Sequence, residues 1–411
     1  MTSGTRNYAI VTAAYWGFTL TDGALRMLVL FHFFKLGYSP FTLSFLFLLY
    51  EAAGIAANFV GGWLATRFGI TRMLMVGLTS QITGFLVLSA LSPEWTVFVS
   101  VAWVVAAQGI CGIAKDLTKT ASKSAIKVAE KEARAEDAGG RLFRWVAWFT
   151  GSKNAMKGLG FFLGGLLLQS LGFRYSLWLM AGLLLLVLAG VFLSLPRTMG
   201  KAKASSSAKE LFGKSKGVNL LAAARIALFG ARDVWFVVGV PVFLYANGWT
   251  FTMVGGFMAL WTIFYGLIQA SAPAVVKRSA DGLSAEVPAA RLWSALLAAT
   301  PTLIIAALAF EVPLRPDVIL VTGLCVFGAA FAVNSSVHSY LILAYAGSEK
   351  AAEDVGFYYA ANAAGRFGGT LLSGLLYQWG GLNACLAGSA LMLVICFLVT
   401  LFLPINPRTE T

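Results

Sequence analysis

Long apolar stretches recur along the whole chain and constrain its fold more than any other feature. A helix needs about 20 apolar residues to cross a bilayer, and we count twelve candidate spans in the 411 residues. The runs are continuous rather than alternating, which favours helices over the strands of a membrane barrel. The predicted spans cover residues 8–33, 41–65, 73–91, 95–114, 142–168, 174–194, 218–245, 251–276, 291–310, 317–345, 355–378 and 382–403.

The composition indicates that the solvent is mostly lipid. Charged residues make up 12% and hydrophobic residues 58% of the chain, whereas a soluble domain carries about 25% charged residues. This excludes a soluble enzyme, a nucleic-acid-binding protein and a disordered chain, and it predicts an all-α integral membrane protein. The first stretch contains Asp22 and Arg26 and no cleavage site, so we expect a retained span rather than a signal peptide.

The basic residues indicate the topology. With the N-terminus in the cytoplasm, the cytoplasmic segments hold 22 of the 31 Lys and Arg residues and the outside loops hold 3. Because basic residues collect on the cytoplasmic side, both termini are predicted to be cytoplasmic, in the plasma (inner) membrane. Residues 195–217 are rich in Ser and Lys and are predicted to form a flexible cytoplasmic linker. It separates two predicted six-helix halves, 1–194 and 218–411.

The two halves repeat each other weakly, because a shift of 209 residues lays the fifth span on the eleventh. The matched residues include Lys157 with Arg366, Gly160 with Gly369, Gly165 with Gly374, and Gln169 with Gln378. Chance similarity between helices rich in Gly and Leu is the alternative, but the matched base and glutamine favour a repeat. Two parallel six-helix halves are typical of the major facilitator architecture.

Nine ionisable residues stand out inside the predicted spans, where a charge is costly and marks a candidate functional position. Six of them are basic and three are acidic, so ion pairs within the set cannot neutralise it. The excess predicts a positive, water-filled cavity that receives an anion. The nine residues are Asp22, Arg26, Glu51, Lys153, Lys157, Arg225, Arg232, Asp233 and Arg366.

A subset of these charges, with two asparagines, forms the predicted substrate-binding set. The set is Arg26, Lys153, Asn154, Lys157, Arg232, Asn362 and Arg366. Lys153 and Lys157 lie one helical turn apart and share a face. Together with Arg366 they are predicted to line one central cavity. Asp22 and Glu51 are the candidates for proton coupling.

Structural roles are the alternatives at several of these positions. Asp22 and Arg26 can pair within one helix, and Arg225 can extend to the cytoplasmic end of its span. Asp233 can neutralise a neighbouring base, and asparagines can join helices by hydrogen bonds. The run 115–127 carries Lys at every fourth position. It is either a solvated helix face or a funnel for anions entering from the cytoplasm.

Several sequence blocks carry a family resemblance. The loop GWLATRFGITR at 62–72 resembles the major facilitator signature G-x-L-a-D-r-x-G-r-k, with Thr66 in place of the acid and Ile70 in place of a base. More specific blocks are AAYWGFTLTDGALR at 13–26, GIAKDLTK at 112–119, GSKNAMKG at 151–158, FGARDVWF at 229–236 and QASAP at 269–273. With these blocks the chain resembles the organoarsenical-efflux permeases (ArsJ type) of the major facilitator superfamily, from about residue 6 to residue 382.

The resemblance implies a function in arsenate resistance. A glyceraldehyde-3-phosphate dehydrogenase partner would use arsenate in place of phosphate, and this chain would export the product, 1-arseno-3-phosphoglycerate. The four cysteines are scattered without a tight spacing, so a pentavalent ester fits better than arsenite bound by thiols. We expect no metal, no cofactor and no catalytic residue.

Other functions compete with this one. An exchanger of organophosphate for phosphate is the first alternative, and a proton-coupled drug antiporter is the second. A receptor or a membrane-embedded enzyme is disfavoured, since the sequence shows no nucleotide-binding loop and no Ser/His/Asp arrangement.

Overall fold

The computed structural model describes residues 3–136, 141–196, 214–276, 279, 281–310, 313–346 and 351–405. All regular elements within these ranges are helices, which confirms the all-α prediction. In chain order they are α1 (Ser3–Lys35), α2 (Pro40–Phe45), α3 (Leu48–Phe68), α4 (Ile70–Ser89), α5 (Val97–Glu136), α6 (Arg141–Ser194), α7 (Lys216–Phe236), α8 (Gly239–Ala246), α9 (Phe251–Val275), α10 (Glu286–Ala309), α11 (Pro316–Tyr345) and α12 (Ala351–Leu401).

Nine stretches of the described residues are long and apolar enough to cross a membrane. Two of them, Ser152–Ser194 in α6 and Asp354–Leu401 in α12, are more than 40 residues long and each contains a break in the helical backbone. Helix α1 is not among the nine. The multi-pass prediction is therefore supported, and the count of twelve spans stays a prediction.

The breaks in α6 and α12 fall at corresponding positions of the repeat. Gly172 in α6 has φ 74° and Gly381 in α12 has φ 62°, and the two residues lie 209 positions apart, which is the shift that matches spans five and eleven. A positive φ favours glycine because it has no Cβ. Both breaks lie between predicted spans, at 168–174 and 378–382. The predicted span ends therefore agree with the positions of these breaks.

Two predicted spans are each divided into two helices. Residues 41–65 are shared between α2 and α3, and residues 218–245 between α7 and α8. At the second division the hydroxyl of Ser373 accepts hydrogen bonds from the backbone N–H groups of Val238 (3.0 Å) and Gly239 (3.3 Å). The break is tolerated within an apolar stretch because a side chain satisfies the backbone groups that it releases.

The chain forms two compact units. Unit 1 comprises Met1–Leu36, Leu49–Ser206 and Thr250–Thr262, and unit 2 comprises Gly37–Leu48, Ser207–Trp249 and Ile263–Thr411. The start of α9 thus belongs to unit 1, and α2 belongs to unit 2. The predicted halves 1–194 and 218–411 stay a prediction.

Each unit contains a crossing at which glycines bring two backbones together. In unit 1, a Cβ added to Gly23 of α1 would lie 2.6 Å from the carbonyl oxygen of Lys157 in α6. In unit 2, a Cβ added to Gly369 of α12 would lie 2.9 Å from the Cβ of Asp233 in α7. Small residues allow such close packing of membrane helices.

The repeated glutamines also make equivalent contacts within their units. In unit 1, Thr252 Oγ1 donates to Gln169 Oε1 at 2.7 Å, at the start of α9. In unit 2, the backbone N–H of Phe41 donates to Gln378 Oε1 at 3.2 Å, at the start of α2. The matched glutamines thus have matched roles at a helix start, which favours a true repeat over chance similarity.

The glycine crossing in unit 2 gives a stability prediction. Gly369→Ala should lower the free energy of unfolding by about 1–3 kcal/mol, because its methyl group overpacks the α7 backbone. Gly368→Ala is the matched control, since a Cβ there meets no atom within 4 Å. Thermal unfolding of the purified variants in detergent measures the difference. Equal melting temperatures for the two variants would show that the crossing is not tightly packed.

Candidate functional site

The interior of unit 1 contains buried acids on α1 and α3. Asp22 accepts a hydrogen bond from the hydroxyl of Tyr50 at 2.6 Å, and Arg26 Nη2 lies 2.5 Å from Glu51 Oε1. All four side chains are buried, and Glu51 is 1% exposed. Asp22 therefore contacts Tyr50 and Glu51 contacts Arg26, so the two candidate proton carriers lie at one contact between α1 and α3.

Helix α5 adds three charged residues to this contact. Lys115 Nζ lies 3.9 Å from Glu51 Oε2 and 3.6 Å from Asp116 Oδ2, and Lys119 Nζ lies 3.4 Å from Asp116 Oδ1. Lys115 Nζ is also 3.9 Å from the centre of the Tyr50 ring, a cation–π geometry. We call these charges the first polar cluster: Asp22, Arg26, Glu51, Lys115, Asp116 and Lys119. It holds three acids and three bases, so it is neutral overall.

The position of Lys115 differs from the solvated-face interpretation of the basic run. Its side chain is 16% exposed and lies beside Glu51, so at this residue the run is not a fully solvated face. Helix α5 approaches α3 closely because Gly112 lacks a side chain: a Cβ there would lie 2.6 Å from the carbonyl oxygen of Tyr50. Sequence reasoning missed Lys115 and Asp116 as site residues, although the block GIAKDLTK contains both.

The predicted lysine pair lies on α6, also in unit 1. Lys153, Asn154 and Lys157 are half-buried, and the two lysines share a helix face as their spacing predicts. Lys157 Nζ lies 5.7 Å from the centre of the Phe161 ring. Among the described residues, the first polar cluster and these two lysines together hold five bases and three acids.

Unit 2 contains a second polar cluster, formed by Arg232, Asp233 and Arg366. Arg232 Nε donates to Asp233 Oδ1 at 2.6 Å, and Arg366 Nε donates to Asp233 Oδ2 at 3.1 Å. The carboxylate is 1% exposed, whereas the arginine side chains are 15% and 18% exposed. Arg366, which has no acid nearby in sequence, thus shares one carboxylate with Arg232, and the cluster keeps a net charge of +1.

Arg225 lies on α7 nine residues after its start, which is about 14 Å along the axis. It is 4% exposed. Its Nη1 donates to the backbone oxygen and to the hydroxyl of Ser335, both at 3.1 Å. The guanidinium carbon lies 4.1 Å from the Phe229 ring centre and 4.8 Å from that of Tyr358. Arg225 therefore contacts α11 and α12 and does not extend to the end of its helix.

The second predicted asparagine lies close to Arg366 in sequence. Asn362 is half-buried on α12, one helical turn before Arg366. Its Oδ1 is buried and has no hydrogen-bond partner among the described residues. Among those same residues, no group of three or more His, Cys, Asp or Glu side chains is placed to hold a metal ion.

Acids and bases inside the spans of a helical membrane fold mark substrate and ion pathways, which is typical of membrane transporters. The sequence model of the Major Facilitator Superfamily matches residues 8–313. The chain therefore belongs to the Major Facilitator Superfamily. A comparison with curated proteins gives no match.

Solved structures of transporters are similar to this chain. A mutant of the nucleoside transporter NupG has a TM-score of 0.71 and 14% identity, over 95% of this chain and 97% of its own. A POT family transporter in complex with 5-aminolevulinic acid has the same TM-score and identity, over 99% of this chain and 97% of its own. These likenesses show the major facilitator fold. The family and these neighbours indicate a transporter rather than an enzyme.

The positions of the cysteines predict that they are dispensable. Cys111, Cys385 and Cys396 are buried and Cys325 is half-buried, and Cys396 lies near Ser294 while Cys385 lies near the carbonyl of Ser373. A chain with all four changed to Ser should therefore keep the transport activity of the wild type, measured at matched expression. Loss of activity would return a mechanism based on thiols to consideration.

Proposed function

We propose that this chain exports an anionic organoarsenical phosphate ester, 1-arseno-3-phosphoglycerate, across the plasma (inner) membrane, with both termini in the cytoplasm. The observation that carries the proposal is the excess of bases over acids among the described charges at and beside the two polar clusters. In unit 2, Arg232 and Arg366 share the carboxylate of Asp233, and Arg225 on the same helix has no acid among its described contacts. In unit 1, the first polar cluster and the two lysines of α6 together hold five bases and three acids. Such an excess favours an anionic substrate over a neutral or cationic one.

The chemistry of the proposed substrate suits these bases. A phosphate ester carries a charge of about −1.5 to −2 at pH 7, and the arsenate group adds more. Arginine binds an oxyanion through two parallel hydrogen bonds, while lysine acts as a point charge. We propose that Arg26, Lys153, Lys157, Arg232 and Arg366 bind the two anionic ends, with Asn154 and Asn362 as hydrogen-bond partners. The resemblance of the five sequence blocks supports the organoarsenical.

A glyceraldehyde-3-phosphate dehydrogenase is the proposed functional partner, because it would supply the substrate from arsenate. Cells that lack other arsenate-resistance genes are suitable for the test. Expression of the chain together with the dehydrogenase should raise arsenate resistance, whereas the chain alone and the dehydrogenase alone should not. Equal resistance with and without the dehydrogenase would remove the organoarsenical from the proposal.

An exchanger of organophosphate for phosphate is the second candidate, because the same bases suit any phosphate ester. Membrane vesicles distinguish the two functions. An exchanger requires phosphate on the opposite side for flux, and an exporter does not. A proton-coupled drug antiporter is less compatible with the charge excess.

The repeated pair Lys157 and Arg366 gives a direct test of the site. The double variant Lys157→Gln, Arg366→Gln should lose arsenate resistance while it reaches the membrane, because it removes one proposed substrate contact from each unit. Arg174→Gln is the control for charge, since Arg174 is exposed and donates a hydrogen bond to the carbonyl of Leu91. The variant Lys157→Arg, Arg366→Lys keeps both charges and tests for loss of folding. Normal resistance in the Gln double variant would contradict the proposed site.

Proton coupling through Asp22 or Glu51 is a further proposal. Both carboxylates have basic or hydroxyl partners on other helices, so proton uptake would release α1 from α3 and link protonation to helix movement. Asp22→Asn and Glu51→Gln should each reduce the dependence of export on the pH gradient, measured in vesicles at a clamped membrane potential. If export by the wild type ignores the pH gradient, or if neither variant changes its dependence, these acids are not the coupling site.

A further inference from the structure

Arg225 differs from the other interior arginines in the residues that contact it. Arg26 pairs with Glu51, and both Arg232 and Arg366 pair with Asp233. The partners of Arg225 in the described part of the chain are neutral: the oxygens of Ser335 and the rings of Phe229 and Tyr358. Its positive charge therefore has no acidic partner there, although the side chain is 4% exposed.

The guanidinium of Arg225 contacts two aromatic rings and donates hydrogen bonds through one of its nitrogens. A guanidinium has five N–H donors in a plane. Nη1 is used on Ser335, and the two rings lie against the group. The Nε atom is buried and has no hydrogen-bond partner among the described residues. These contacts position Arg225 and leave its Nε donor for a further acceptor; a guanidinium binds a phosphate or arsenate group through two parallel hydrogen bonds.

Other buried polar atoms without partners lie on the helices that contact Arg225. His338 is on α11, three residues after Ser335, and neither of its ring nitrogens has a partner in the described structure. Asn362 is on α12, four residues after Tyr358, and its Oδ1 is likewise without a partner. These spacings place each residue on the same helix face as a contact of Arg225. Buried polar groups are normally hydrogen-bonded, so these atoms are available to contact a ligand or water.

The free-energy cost of burying Arg225 also favours an anionic ligand. Removing an ion from water is costly unless a counter-charge compensates. A neutral side chain at position 225 would avoid this cost. A ligand that carries the counter-charge gives the arginine a function there.

We propose that Arg225, oriented by Ser335 and held by Phe229 and Tyr358, binds one oxyanion group of the transported substrate. The identity of that substrate as a phosphate ester rests on the proposed function. Arg225, Phe229 and Arg232 follow one face of α7 at spacings of four and three residues. The Phe229 ring lies between the two arginines, 5.1 Å from the guanidinium carbon of Arg232. Arg225 thereby adds a contact for one anionic end, on the α7 face that also carries Arg232 of the second polar cluster.

Binding of 3-phosphoglycerate to the purified full-length protein tests this site, because that ester is stable whereas the arsenate ester is not. By calorimetry, Arg225→Gln should weaken binding by about ten- to a hundredfold, the loss expected for a charge-assisted hydrogen-bonded contact. Lys35→Gln removes one exposed charge and is the control; it should leave the affinity unchanged. Ser335→Ala keeps the arginine and its charge, and should weaken binding by less than Arg225→Gln.

Arg225→Lys guards against a failure of Arg225→Gln to fold. It keeps the charge but loses the planar edge, so it should also bind more weakly than the wild type. Unchanged affinity in either folded Arg225 variant, or no binding of the ester to the wild type, would overturn the site. Weakened binding in a protein that gives cells no arsenate resistance would support the oxyanion site and reject only the organoarsenical. Full arsenate resistance with Arg225→Gln and unchanged affinity would reject the site and leave the proposed function intact.

Discussion

Sharing of a buried carboxylate between two bases is the interaction on which the interior of each unit depends. Glu51 lies between Arg26 and Lys115, and Asp233 lies between Arg232 and Arg366. In an apolar surrounding, an isolated charge is costly and removal of one partner leaves another charge uncompensated. These contacts therefore join α1, α3 and α5 in unit 1, and α7 and α12 in unit 2.

We propose that the same sharing connects substrate binding with helix movement. An anion that binds Arg366 or Arg232 competes with Asp233 for the same donors, and a ligand shifts a conformational equilibrium only through such a difference in contacts. Arg225 has no carboxylate to release among the described residues. It is therefore suited to the first contact with an anion, and the shared arginines are suited to the step that changes conformation.

Hydropathy predicted the helices well because backbone hydrogen bonding leaves few alternatives within a bilayer. The span at 73–91 corresponds to α4 at Ile70–Ser89, and the breaks at Gly172 and Gly381 fall between predicted spans. The division of α7 from α8 was not predictable, since it depends on the hydroxyl of Ser373, 135 positions from Val238. The repeat was visible in sequence only as matched residues, whereas the contacts of Gln169 and Gln378 give it a physical role.

Six of the nine charges in the two polar clusters were singled out from the sequence, but their pairing was not predictable. Arg26 and Glu51 are 25 positions apart, and Asp233 and Arg366 are 133 apart, so no local spacing indicates either pair. Lys115 was assigned to a cytoplasmic run because its spacing suits a solvated helix, yet α5 brings it beside Glu51. The sequence left Arg225 open between two roles, and only the contacts with Ser335, Phe229 and Tyr358 distinguish them.

Export of an organoarsenical anion is tested most directly in everted membrane vesicles that contain this chain. Outside the vesicles, glyceraldehyde-3-phosphate dehydrogenase with NAD, glyceraldehyde-3-phosphate and arsenate would generate the ester, and arsenic inside the vesicles would be measured. Arsenic should accumulate inside the vesicles only when both the dehydrogenase and glyceraldehyde-3-phosphate are present. Vesicles without the chain should accumulate none. Equal accumulation from arsenate alone, or none with the complete mixture, would contradict the proposed export.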